Sequence, residues 1–271
     1  MEDPLSSAPP RPLNPQQRLT DFRPEVLADR HDRQLSLLRS TGTLPPPPYR
    51  VLDLGGGSGV TAVWAARQGW PTTVVDIDTE NLEVLRKHLQ EHEPDLPIEM
   101  VVDDAAKLRT ISPGAFDIAY LKDLIEHVPD VPGCLRAAYQ ALRPGGLLYV
   151  ATTNVICPIQ CEYHGVGPFS WYPAWLKDRI RRYALTTRPE IVRHTPYPAL
   201  HWFSRRSLGG LLRDAGFSRV WDLYDLVSSS GDLTRRTRLI YPLIRAAQNI
   251  KPLRDIVDLG VVGLTMVAQK A

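Results

Sequence analysis

The chain has little cysteine, no long hydrophobic run and almost no net charge, and each of these absences narrows what it can be. Three cysteines in 271 residues cannot staple a domain of this length. That excludes a disulfide scaffold and leads us to expect a reducing, cytoplasmic setting. No stretch is long and apolar enough to span a bilayer, and the first residues lack the apolar core of a signal peptide, so neither a membrane span nor export is expected. Lys and Arg number 32 against 30 Asp and Glu, a net charge of +2. A charge so small supplies no basic stripe, and nucleic acid is not expected as a partner.

What the chain does have is proline at its start and a regular alternation after it. Residues 1–20 are polar and proline-rich and read as disordered. Within 21–44, Val26, Leu27, Leu35, Leu37 and Leu38 mark a helical cap. From residue 49 to 271 the pattern is that of one main domain. Short apolar runs at 51–54, 72–75, 98–102, 116–120 and 147–151 read as strands. Helical periodicity follows the first and second of them and covers 131–142. Such alternation predicts a three-layer α/β fold with a doubly wound, Rossmann-like sheet and a ligand crevice at the carboxyl ends of its strands.

The first of those strands runs into Asp53-Leu54-Gly55-Gly56-Gly57-Ser58-Gly59. Glycines at 55, 57 and 59 let the backbone turn sharply and approach a ligand closely, and the helix that follows offers free N–H groups to an anionic one. Asp76 ends the second strand, where it can accept hydrogen bonds from a ribose diol, and Asp104 lies just past the third. The same residues satisfy a relaxed dinucleotide fingerprint, since Asp76 follows Gly57 by 19 residues, near the usual gap of about 20. The glycines alone therefore leave a nicotinamide-dependent oxidoreductase open.

The order of the remaining motifs resembles class I S-adenosylmethionine-dependent methyltransferases. Asp53-x-Gly55-x-Gly57-x-Gly59 is similar to their first motif, Val74-Val75-Asp76 to the acidic second, and Asp104-Ala105 to the adenine loop. Phe116-Asp117 with Leu124-Ile125-Glu126-His127-Val128 resembles their fourth strand and its loop, and Leu142-Arg143-Pro144-Gly145-Gly146 the turn before the fifth. His201-Trp202-Phe203-Ser204 and Ala215-Gly216-Phe217 resemble the return helix. The resemblance implies seven strands, mostly parallel with the last antiparallel, and S-adenosylmethionine as cofactor. It implies that Asp53 and Gly55 lie near the methionine end, that Asp76 holds the ribose, that Asp104, with Ala105 in the adenine loop, meets the adenine amino group, and that Gly57, Gly59 and Ile77 also line the cofactor site. The backbone of Leu121 and Lys122 would flank the sulfonium.

Methyl transfer from a sulfonium is an in-line displacement in which positioning does much of the work. A hydroxyl acceptor gains from a nearby base, and His127, after the fourth strand, is the first candidate, with His164, His194 and His201 behind it. The Glu126-His127 pair resembles the ubiquinone-biosynthesis O-methyltransferases. Asp123, Glu126 and His127 resemble the acid-x-x-Glu-His pattern of one branch of those enzymes, with Asp123 where that branch has a glutamate, and the spacing of Cys157, Cys161 and His164 is unlike a tight zinc site, so no metal is expected.

Two insertions interrupt the domain. Residues 155–205 hold nine aromatics, among them Trp171, Trp175 and Trp202, and seven basic residues. Such a lid after the fifth strand suits a small, aromatic or lipophilic acceptor bearing an acidic group, with O-methylation favoured. A protein acceptor stays open. Residues 232–258 place Leu239, Ile240, Leu243 and Ile244 on one helical face, with Arg235, Arg236, Arg238 and Arg245 around it. That pattern suits a peripheral membrane contact, a dimer contact or an amphipathic helix packed on the domain.

Overall fold

The computed structural model describes residues 22–192 and 198–271. The proline-rich start expected to be disordered lies outside them, as does His194. The N-terminal cap is α1 (Pro24–Arg39), with Pro24 in its first turn, where a missing N–H costs nothing. The alternation then runs β1 (Val51–Leu54), α2 (Val60–Arg67), β2 (Thr72–Asp76), α3 (Thr79–His92), β3 (Ile98–Val102), β4 (Phe116–Lys122), α4 (Val131–Ala141) and β5 (Leu142–Thr153). Every residue of β1 and β2 is buried, as expected of parallel strands covered on both faces. Asp78 and Asp130 cap α3 and α4 by accepting from the N–H groups of Glu80 and Gly133, contacts worth ~1 kcal/mol each.

After β5 come the lid helix α5 (Ala174–Thr186), α6 (Arg205–Asp214), β6 (Arg219–Asp222), the short α7 (Leu223–Leu226) and α8 (Arg235–Arg238), then α9 (Tyr241–Asn249), α10 (Lys251–Asp258) and β7 (Gly263–Gln269). The seven strands stand in the order β3-β2-β1-β4-β5-β7-β6. β7 runs antiparallel to both β5 and β6, while the other pairs are parallel. One core, built on Val51, Val74 and Tyr120, packs under α1, α2 and α3. The other, built on Leu52, Leu54, Leu121 and Val150, packs under α4 and α6. Period-two alternation along each strand divides its side chains between them.

Two details depart from the sequence-based expectation. The turn expected at Leu142–Gly146 is drawn into β5, which begins at Leu142 opposite Phe116 and shifts register before Ile118. The single amphipathic helix expected across 232–258 is divided into α8, α9 and α10, because Pro242 and Pro252 lie in the first turns of the last two and cannot continue a helix begun upstream.

The lid leaves and rejoins the sheet at one place. Asn154 bridges Phe203, the Val155 N–H donates to the Phe203 carbonyl at 2.8 Å, and the Thr153 hydroxyl donates to the His201 carbonyl at 3.0 Å. Between these roots the lid has a core of its own, with Tyr163 stacked on Phe169 at 4.0 Å and Trp202 against both.

Candidate active site

The carboxyl ends of β1, β2 and β4 meet at one crevice. Gly55, Gly57 and Gly59 all have positive φ, a backbone region that side chains strain to enter. A Cβ at Gly55 would come within 2.6 Å of the Leu124 side chain, whereas at Gly57 it would meet nothing within 4 Å among the described residues. Gly57 is thus required by its φ of +56°, and the space beside it is open to a ligand.

Asp76 closes this loop from β2. Its Oδ2 accepts from the Gly57 N–H at 2.7 Å and its Oδ1 from the Asp78 N–H at 2.8 Å, and burial holds its pKa above the ordinary carboxylate value. Beside it, Ile77 is 63% exposed and Val102, which pairs with Asp76 across the ladder, 56%. An apolar ledge next to a carboxylate suits the flat face of a base joined to a ribose. Past β3, Asp103 staples its loop through Thr110, while Asp104 accepts from the Ala106 N–H and the Lys107 ammonium. Ala105 is buried against the core, as is the Leu121 side chain, so Leu121 offers the crevice only its backbone.

Asp53 is 1% exposed. It bonds Thr61 and the Ala62 N–H at the start of α2, and burial pushes its pKa up to about 6 against the pull of Lys122. Its Oδ2 is buried without a hydrogen-bond partner, a costly condition that a ligand's positive group would relieve. Lys122, at the end of β4, is half-buried, and desolvation brings its pKa down to about 8. The Nζ lies 3.2 Å from Nε2 of His31 on α1. Nδ1 of that ring lies 2.9 Å from the Leu27 carbonyl, which can only accept, so His31 is neutral and receives the lysine's proton donor at Nε2. Burial first, then the Lys122 charge, depresses its pKa to about 3. Sequence reasoning singled out neither His31 nor the Lys122 side chain. A charged residue ending a buried strand was the one available signal, and its partner comes from 91 residues away.

The loop after β4 holds the candidate base. Asp123 sits at a φ of +50°. Glu126 is 1% exposed, and burial, aided by the Asp123 charge, raises its pKa to about 8. It accepts from the Thr152 hydroxyl at 2.7 Å, and its carbonyl accepts from the Leu200 and His201 N–H groups. Nε2 of His127 lies 3.8 Å from Oε2 of Glu162 in the lid, both side chains largely enclosed. His201 turns away, its Nε2 3.1 Å from the Val128 carbonyl. Cys157 is buried and Cys161 exposed, both free. Among the described residues no group of three or more His, Cys, Asp or Glu is arranged to hold a metal ion. A cleft of about 500 Å³ between α5 and α6, lined by Lys177, Arg181, His201 and Trp202, includes none of the glycine-loop residues.

A sheet of this order, with antiparallel β7 set between β5 and β6, differs from the parallel 3-2-1-4-5-6 sheet of the dinucleotide fold. It is the class I S-adenosylmethionine-dependent methyltransferase fold. The chain belongs to that family: residues 19–221 match the family described as a methyltransferase domain. A ubiquinone biosynthesis O-methyltransferase of Xanthomonas campestris pv. campestris is 37% identical over 110 residues, 40% of this chain and 44% of that enzyme. The match thus spans less than half of the curated relative's length. Among solved structures, an S-adenosylmethionine-dependent methyltransferase from Mesorhizobium loti is 20% identical at a TM-score of 0.54, covering 86% of this chain and 96% of its own. Phosphoethanolamine N-methyltransferase 2 of Haemonchus contortus, in complex with S-adenosyl-L-methionine, is 18% identical at a TM-score of 0.51, covering 96% and 60%. The crevice fits the cofactor of this class: an open glycine cradle, a ribose-type acid beside an apolar ledge, and an orphaned carboxylate oxygen at the far end.

Proposed function

We propose that this protein methylates an oxygen of a small aromatic or lipophilic acceptor, with His127 as the base. The observation that carries this reading is the His127–Glu162 contact of 3.8 Å, which puts an imidazole beside a carboxylate where the β4 loop meets the lid. S-adenosylmethionine bound in the crevice supplies an electrophilic methyl group. Asp76 holds the ribose, Ile77 and Val102 carry the adenine, and Asp104 with the Ala105 backbone meets its polar edge. Asp53 and Lys122 present a carboxylate and an ammonium to the zwitterionic methionine end. His127 takes the acceptor's hydroxyl proton as the oxygen attacks, and Glu162 stabilises the imidazolium that forms. The lid excludes water. Its outward aromatics Trp171, Trp175 and Tyr183 support an acceptor with a flat or apolar body.

The test joins calorimetry to an acceptor screen. S-adenosylhomocysteine should bind saturably and NADH should not. Phenols and quinols should accept methyl, and His127→Ala should lower kcat by about a hundredfold or more while binding S-adenosylhomocysteine as the wild type does. Undiminished turnover in that variant would remove His127 from the mechanism.

A further inference from the structure

Helix α9 is apolar on two sides. Its inward side, Ile244 and Ala247, is buried in the core. Its outward side continues Leu239, Pro242, Leu243, Ala246 and Ile250, a row at helical spacing in which Leu239 is 86% exposed, Leu243 52% and Ile250 53%. Partner helix α10, packed against α9, does the same. Val257 points in, while Ile256 at 63% and Leu259 at 44% point out. An ordinary surface helix turns polar residues to water, and contiguous outward apolar rows mark a contact surface.

The charge around these rows is mainly positive, the acids of α10, Asp255 and Asp258, being paired with Arg205. Residues 233–254 contain five arginines and one lysine and no Asp or Glu. Arg254 is consumed by an ion pair with Asp222, but Arg235, Arg236, Arg245 and Lys251 are exposed. A second copy of this chain docked symmetrically on the same face would bring these cations together, which opposes a dimer. Nucleic acid would leave the outward leucines and isoleucines without an apolar environment. An anionic bilayer satisfies both halves, with apolar side chains in the headgroup–acyl boundary and arginines at the phosphates.

We propose that the α9–α10 pair is a docking surface for anionic lipid, holding the protein on the membrane without crossing it. Among the described residues no helix is long and apolar enough to cross one. Strand direction gives the surface its place. β6 is parallel to β5, so the chain leaves β6 and enters β7 at the carboxyl edge, where Thr153 pairs with Gly263. The Asn154 amide ties that edge to α10 by donating to the Asp258 and Val261 carbonyls. The lipid surface thus adjoins the edge that carries the glycine loop, and a lipophilic molecule leaving the bilayer would emerge beside the crevice.

The inference stands apart from the methyl-transfer reading, and its test needs no activity. The full chain is sedimented with vesicles of phosphatidylcholine containing phosphatidylglycerol, and with phosphatidylcholine alone. It should pellet with the first, weakly with the second, and less as salt is raised. The triple variant Arg235→Gln, Arg236→Gln, Arg245→Gln should lower partition on the order of a hundredfold, and Leu239→Glu with Ile256→Glu should lower it comparably, with S-adenosylhomocysteine affinity unchanged in both. Wild-type protein left in the supernatant with anionic vesicles would overturn the proposal. So would variants that pellet like the wild type, or light scattering that shows a stable dimer which the Leu239→Glu, Ile256→Glu variant dissociates.

Discussion

At the scale of single residues, two charges from different parts of the chain stand where the proposed function puts the methionine end of the cofactor. Lys122 approaches from β4 with His31 accepting one of its protons, and Asp53 keeps one oxygen unpaired. Opposite charges set apart in a low-dielectric site complement a zwitterion better than either complements water. Replacing Lys122 by Met keeps the length and apolar stem while removing the charge. Lys122→Met should therefore weaken S-adenosylhomocysteine about tenfold or more, the loss of one charge-assisted hydrogen bond. Methylthioadenosine, which lacks the amino-acid end, should bind the variant as it binds the wild type. Equal losses for both ligands would mean that Lys122 only shapes the crevice.

At the scale of elements, the lid is a small folded unit. Phe169 is 1% exposed and lies between Tyr163, Tyr172 and Trp202. Truncation in such a cluster costs about 3–5 kcal/mol, here confined to a segment whose core is separate from the two sheet cores. Phe169→Ala should speed hydrogen exchange across 156–192 while leaving β1, β4 and β5 protected, and acceptor KM should rise more than cofactor Kd. Uniform loss of protection would show that the lid and the sheet fold as one. The helix pair beyond β6 contrasts with the lid. It shares the main core through Ile244, Ala247 and Val257 and is further tied to the main body by polar links, with Arg205 bound to Asp258 and Asp255, Arg254 to Asp222, and Tyr224 to Asp258.

At the scale of the whole molecule, several buried acids bias stability toward low pH. Glu126 has a folded pKa near 8 against an unfolded value of 4.5. The folded state therefore holds a proton that the unfolded state releases as pH rises between those values, and stability falls over that window. Asp53 and Asp76 are raised in the same sense. His31 acts oppositely, because its pKa is depressed and stability is lost as pH falls below the ordinary histidine range. Glu126→Gln removes one ionisation and keeps an acceptor for Thr152. Its Tm should exceed that of the wild type above pH 8, with the difference closing toward pH 4.5; a constant difference across that range would place the effect in packing.

The same scale separates what the sequence disclosed from what it did not. Strands β1 and β2 were legible because strands buried on both faces are continuous apolar runs. The glycine loop and Asp76 were legible because their chemistry is local. The direction of β7 came only through resemblance, since antiparallel and parallel strands share one periodicity. Contacts such as His31–Lys122, Glu126–Thr152 and His127–Glu162 join residues far apart in the chain, which no spacing rule encodes. Pro242 and Pro252 did announce the breaks before α9 and before α10, and the apolar periodicity read across them masked that signal.

The paired roots of the lid bear on how such a protein can diversify. Asn154 and Phe203 are already neighbours at the sheet edge, so everything between them is a closed excursion whose length the ladder does not register. Closing a longer or shorter loop between fixed ends changes the free energy only as a slow logarithm. A lineage could therefore exchange this segment wholesale, acquiring a different acceptor while its cofactor crevice and strand register pass through untouched.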